Sequence, residues 1–197
     1  MAELTKEKTL VLIKPDAVKR GLVGEILMRF ETAGLKIVAL KMLYIDKGLA
    51  HKHYPSERIE FLKGMGEKTL STYQKLGKDP KKEIGTDDPI EIGKMVNHWN
   101  VEFLTSGPVV VIVLEGLHAV DSVRMIVGNT IPAIAPPGTI RGDYSIDSPA
   151  LANERKRAVH NLVHASGNVE EAGYEIKIWF KPEELNEYKR ADEDVMF

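Results

Sequence analysis

Two uninterrupted apolar runs, Thr9–Ile13 and Val109–Leu114, constrain what this chain can fold into more than any other feature of it. Both are rich in β-branched and aliphatic residues with no polar alternation, the pattern of a strand covered on both faces. The first stops at Lys14-Pro15-Asp16, where a residue without an N–H ends ladder pairing and leaves a lysine at the strand end. Helical periodicity follows each run. Val23, Ile26, Leu27 and Phe30 recur at amphipathic spacing before Gly34, and residues 118–127 repeat the strand-then-helix order. Residues 35–45 alternate apolar positions with Lys36 and Lys41, which predicts a second strand. Residues 174–180 alternate again and predict another, before a charged stretch from Lys181 that reads as a solvated helix or extension.

Two strand–helix units with additional strands predict an α+β fold, a ferredoxin-like α/β sandwich with a mainly antiparallel sheet. Two stretches lie outside that plan. Residues 56–99 are polar and lysine-rich, punctuated by Gly77, Asp79-Pro80 and Asp87-Asp88-Pro89, and are too long for a simple loop, so they are expected to carry helices of their own. Residues 128–153 hold Pro132, Pro136-Pro137, Gly138, Gly142 and Pro149, which predicts a long irregular excursion. At 197 residues and 43% hydrophobic the chain is expected to form one domain over 1–197.

The net charge of −2 provides no global field to recruit nucleic acid or an anionic membrane, so any anion site must be local. The absence of cysteine excludes disulfide and thiolate chemistry. No apolar stretch has membrane-spanning length. A cytoplasmic protein acting on neither membrane nor nucleic acid is the expectation.

Chemistry concentrates in Asn161-Leu-Val-His164-Ala-Ser166-Gly167. Small residues after His164 leave its imidazole approachable, and a histidine becomes a nucleophile when a third group fixes its ring and tautomer. Glu175 is the candidate for that group. A lone histidine in an apolar run is otherwise about twice as often a structural residue, so the context decides. Lys14, Arg124 and Arg141 stand where rigid elements can present them, and together they can neutralise a polyphosphate. No phosphate-binding loop of the Gly-x-x-x-x-Gly-Lys type and no metal-ligand cluster of His and Cys appears in the sequence.

These residues resemble the nucleoside diphosphate kinase family. Asn161, His164, Ala165 and Ser166 match the N-x-x-H-[GA]-S pattern around the phosphorylated histidine, and Ile13-Lys14-Pro15-Asp16-Ala17-Val18 matches the end of the family's first strand. Ser106-Gly107-Pro108-Val109-Val110 and Pro137-Gly138-Thr139-Ile140-Arg141-Gly142-Asp143 follow in order. The resemblance implies that His164 is the nucleophile and phosphocarrier and that Glu175 orients it. It implies that Lys14, Arg124, Thr130 and Arg141 bind phosphate, that Asn161 meets the sugar hydroxyls, and that Tyr54 positions the phosphate end. It further implies ping-pong transfer from nucleoside triphosphates to nucleoside diphosphates, Mg2+ bound with the nucleotide phosphates, and a homo-hexamer or homo-tetramer. The alternative is a catalytically weak nucleotide-binding or scaffolding homologue.

The chain departs from the family pattern in three places. Gly167 stands where the motif continues with Asp, which removes a carboxylate beside the nucleophile. A helical insertion expected at about 56–99 spans the base-binding region, so Val96 and Asn100 fall where a Phe and a Leu are usual, and Trp99 or Phe103 becomes the candidate stacking face. A shorter insertion at about 144–155 brings Arg155 and Arg157 toward the catalytic segment, where they are candidates for phosphate or intersubunit contacts.

Overall fold

The computed structural model describes residues 6–75 and 77–196. β1 (Lys6–Ile13) leads through a short α1 (Pro15–Lys19) into α2 (Val23–Thr32), and β2 (Lys36–Leu43) completes the first β-α-β unit. Next come α3 (Lys47–His53), α4 (Ile59–Lys75), α5 (Pro80–Ile84) and α6 (Pro89–Leu104). β3 (Val109–Leu117) and α7 (Ala119–Val127) form the second unit, followed by α8 (Ile140–Tyr144), α9 (Pro149–Glu154), β4 (Val163–Ala165), α10 (Val169–Trp179) and the short α11 (Glu193–Met196). The four strands form one antiparallel sheet in the order β2-β3-β1-β4.

The two continuous apolar runs are the central pair β1 and β3, and helices cover both of their faces. Val11 and Ile13 join Val110, Ile112 and Leu114 against Ile26 and Phe30 of α2 and Val123 and Val127 of α7. Leu10 and Leu12 join Val109, Val111 and Val113 against Ala50, Val101, Leu104, Ile176 and Trp179 from α3, α6 and α10. Successive strand residues point to opposite faces, so two cores demand an apolar residue at every position.

The strand predicted over 174–180 is instead part of α10. Asn168 caps this helix by accepting the Glu171 N–H, acidic residues fill the first turn, and Ala172, Glu175, Ile176 and Trp179 form its buried stripe. The apparent alternation sampled only the second half of a helix whose start signal lies before it. The predicted helices within 56–99 are α4, α5 and α6. α4 and α6 cross where Gly66 and Gly93 abut backbone, since a Cβ on Gly66 would fall on the Pro89 carbonyl and one on Gly93 on that of Leu62. Residues 128–153 hold a 3-10 turn at Pro132–Ile134, then α8 and the start of α9. After α10 the charged C-terminal stretch runs mostly without regular structure, through a 3-10 turn at Pro182–Glu184, to α11.

Candidate active site

Lys14 directly follows β1, beside the short edge strand β4, whose His164 pairs in register with Leu12. Between them Leu162 adopts a left-handed φ of +68°, rare for a branched residue, and the Val163 N–H returns to the Asn161 carbonyl at 2.7 Å. Both sides of this tight turn are pinned. The Leu162 N–H donates to Asp16 Oδ2 at 3.1 Å, and its carbonyl accepts the Lys14 N–H at 2.8 Å. The turn swings Asn161 toward the strand end, where its Oδ1 accepts from Lys14 Nζ at 2.8 Å while its Nδ2 donates to the Thr130 carbonyl at 3.0 Å.

His164 Nε2 lies 2.7 Å from Glu175 Oε1, and the other carboxylate oxygen accepts the Ser166 hydroxyl at 2.6 Å. Glu175 is only 3% exposed, and Ser166 is fully buried. A carboxylate facing Nε2 selects the tautomer with its proton there, which leaves Nδ1 with a free lone pair. Burial holds His164 well below the ordinary imidazole range, with Lys14 adding to the effect and Glu171 opposing it. The ring is therefore neutral at physiological pH. Burial raises the Glu175 carboxyl, opposed by His53 and the Ser166 hydrogen bond.

Cations surround this dyad. Arg141, at the start of α8, donates from Nε to the Asn161 carbonyl at 3.1 Å and from its two terminal nitrogens to the carbonyls of Gly128 at 2.8 Å and Val163 at 2.7 Å. Burial lowers it to about 10, and it remains charged at neutral pH. Burial, with Arg141 second, lowers Lys14 to about 8. Arg124 projects from α7 and is exposed, and its guanidinium borders Gly167. Thr130 is exposed, and its backbone anchors Asn161. Tyr54 caps the C-terminus of α3 half-buried against the His53 ring, and burial raises its hydroxyl.

The structure brings Lys14, Arg141, Asn161, His164 and Glu175 into one cluster, with Arg124, Thr130 and Tyr54 at its edge. His53 belongs to the same cluster. His53 is buried edge-on to His164 with ring centroids 4.4 Å apart, its Nδ1 3.4 Å from Glu175 Oε1 and 3.4 Å from the Trp179 indole N–H. Burial drives its pKa down to about 3. No motif announces such a residue, because its role comes from α3 and α10 packing on the same face of β1.

Two other expectations are settled by packing. Trp99 is buried in α6 and offers no stacking face, whereas Phe103 is half-buried, stacks on His160 at 4.6 Å and lies 5.9 Å from Lys14 Nζ. Arg157 is held by Asp147 in a two-pronged ion pair at 2.6 and 3.1 Å, so it staples the excursion instead of facing phosphate.

The ligand atoms of His53, His164 and Glu175 lie within 4.8 Å of one another, a spacing a metal can use. A hydrogen-bonded dyad has the same spacing, and the charges of Lys14, Arg141 and Arg124 around His164 oppose a dication there.

A neutral, carboxylate-held histidine enclosed by fixed cations is the apparatus of a phosphotransferase that works through its own side chain. The family model for nucleoside diphosphate kinase matches residues 7–68 and 91–185. The chain is 58% identical to the nucleoside diphosphate kinase of Pyrobaculum aerophilum over 92% of its own length and 98% of the relative's. The crystal structure of an NDP kinase from that organism superposes with a TM-score of 0.89, covering 93% of this chain and all of the other, at 56% identity. A transition state mimic of the Borrelia burgdorferi nucleoside-diphosphate kinase, with bound vanadate and ADP, superposes with a TM-score of 0.79 at 38% identity, covering 96% of each chain. The chain belongs to the nucleoside diphosphate kinase family. It is an enzyme of the phosphotransferase class.

Proposed function

We propose that His164 carries the phosphoryl group in a nucleoside diphosphate kinase reaction. Nδ1 attacks the γ-phosphorus of a nucleoside triphosphate, the bond from that phosphorus to the bridging oxygen breaks, and a nucleoside diphosphate departs. A second diphosphate attacks phospho-His164 through the reverse path, which makes the kinetics ping-pong. The observation that carries this reading is the 2.7 Å hydrogen bond from His164 Nε2 to Glu175, which aims the free nitrogen and stabilises the proton opposite it.

Lys14, Arg124 and Arg141 neutralise the phosphates in this reading, with Thr130 and Tyr54 completing the phosphate end and Asn161 meeting the sugar. Three of the five Arg141 N–H donors are tied to backbone, so its fork is held before substrate arrives. Magnesium carried by the nucleotide would shield the charge of its phosphates. The oxygens of Glu175 are already committed, which fits an ion carried by substrate, since magnesium uses one or two carboxylates with phosphates and water.

The chain acts as one kinase domain over 1–197, with a helical insertion at about 56–99 and a shorter insertion at about 144–155. The absence of a family-model match at residues 69–90 supports the first of these. β2 is an edge strand with Leu40 and Met42 exposed, which supports assembly into a homo-hexamer or homo-tetramer. Among the described residues no helix is long and apolar enough to cross a membrane, and a cysteine-free chain suits the cytoplasm.

Incubation with γ-labelled ATP tests the reaction. Acid-labile, base-stable label on the protein that chases into added GDP, and is absent from His164→Ala, is the expected result. An unlabelled wild-type protein would favour a binding-only homologue.

A further inference from the structure

Gly167 has no conformational reason to be glycine. Its φ is not in the left-handed region, and it sits in the turn between β4 and α10, so its φ does not call for glycine. What excludes a side chain is Glu171. A Cβ on Gly167 would lie 2.6 Å from Glu171 Oε2, because that carboxylate folds back over the turn and accepts the Gly167 N–H at 3.0 Å. The same Cβ position is 3.6 Å from an Arg124 terminal nitrogen. A carboxylate and a guanidinium thus flank the space over Gly167 without forming a direct ion pair.

Three carboxylates border the cationic cluster, and their engagements differ. Glu175 has both oxygens committed, one to His164 and one to Ser166. Asp16 spends Oδ2 on the Leu162 N–H, and its Oδ1 is sealed from solvent. Glu171 is partly exposed and commits only Oε2, to a backbone N–H. Its negative charge, close enough to oppose the cations acting on His164, would repel incoming phosphates unless a cation stood between them. A hard, reluctantly dehydrated dication carried by those phosphates meets that requirement, directly or through its water.

We propose that Glu171 is the residue through which this chain receives the magnesium ion accompanying the nucleotide phosphates, and that Gly167 is glycine so that the Glu171 carboxylate can occupy its side-chain space. This rests on the magnesium-nucleotide reading above. The carboxylate that the motif would carry at position 167 is supplied from the first turn of α10, on a capped and therefore fixed helix end.

The test measures ADP binding calorimetrically with and without magnesium. Wild-type protein is expected to bind ADP more tightly with magnesium. Glu171→Gln keeps an acceptor for the Gly167 N–H and removes only the charge. It should shrink the magnesium-dependent gain by about tenfold or more while leaving metal-free ADP binding unchanged or tighter. Gly167→Ala should do the same, because the new Cβ displaces only the far end of a flexible side chain. A wild-type protein indifferent to magnesium would overturn the magnesium reading itself. A Glu171→Gln variant that keeps the wild-type gain would overturn the role of Glu171 and leave that reading standing.

Discussion

The Ser166 hydroxyl donates to the Glu175 oxygen that His164 does not use, at 2.6 Å, in a fully buried position. One carboxylate is therefore oriented from one side and orients from the other. Replacing Ser166 by Ala leaves a buried acceptor unsatisfied, which costs about 1–3 kcal/mol of stability. It also frees Glu175 to rotate away from His164. Phosphotransfer should fall by about tenfold or more in kcat with little change in KM. Steady-state kinetics together with a melting curve check this, and an unchanged kcat would show that Ser166 is only a small neighbour.

His164 should react as a neutral ring well below the pH at which a free imidazole protonates, because burial first and Lys14 second depress it. Rapid-quench measurement of phosphohistidine formation is expected to stay flat from pH 7 to about 5.5. A tenfold loss per unit below 6.5 would contradict the environment described. Stability has the opposite sensitivity. As pH falls through about 6.5 the unfolded chain takes up protons that His164 and His53 refuse, so the folded state loses stability.

Lys14 is lowered from 10.5 to about 8, so in the free enzyme its charge disappears as pH rises through about 8. Affinity for a nucleoside diphosphate should weaken above that pH, and Lys14→Gln should abolish this dependence while weakening binding throughout. Between about 8 and 10.5 the unfolded state binds the extra proton, so the stability of the ligand-free protein gains with rising pH from this group. Titration calorimetry at pH 7 and 9 separates the variant from wild type.

Trp99 and Phe103 lie four residues apart on one helix and should behave differently. Trp99→Ala removes a core side chain and should cost about 3–5 kcal/mol with nucleotide KM little altered in protein that remains folded. Phe103→Ala should leave stability nearly intact and raise nucleotide KM, because its ring lies beside His160 and Lys14. Identical kinetics for Phe103→Ala and wild type would remove this ring from the site.

Gly66→Ala and Gly93→Ala force a methyl group onto the facing helix backbone, which cannot give way as a side chain can. Each should cost about 1–3 kcal/mol or more, read as a lowered melting temperature. Phosphotransfer below the transition should persist, since neither glycine belongs to the His164 cluster.

The strand–helix order, the doubly buried central strands and the motif residues Lys14, Arg141, Asn161, His164 and Glu175 were legible in the sequence. Local periodicity and strand-end punctuation report which faces are covered, and a short motif reports residues that must act together. Tertiary structure alone decided the rest. The alternation at 174–180 became half of a helix because Asn168 caps it upstream and two faces of the sheet required cover. His53 entered the site, and Trp99 left it, through the packing of helices far apart in the chain. The emptiness of Gly167 read as a lost carboxylate along the chain, yet in space Glu171 fills it. A linear pattern records which groups are present; the distances that turn a charge into a partner are set only when separate elements share one core.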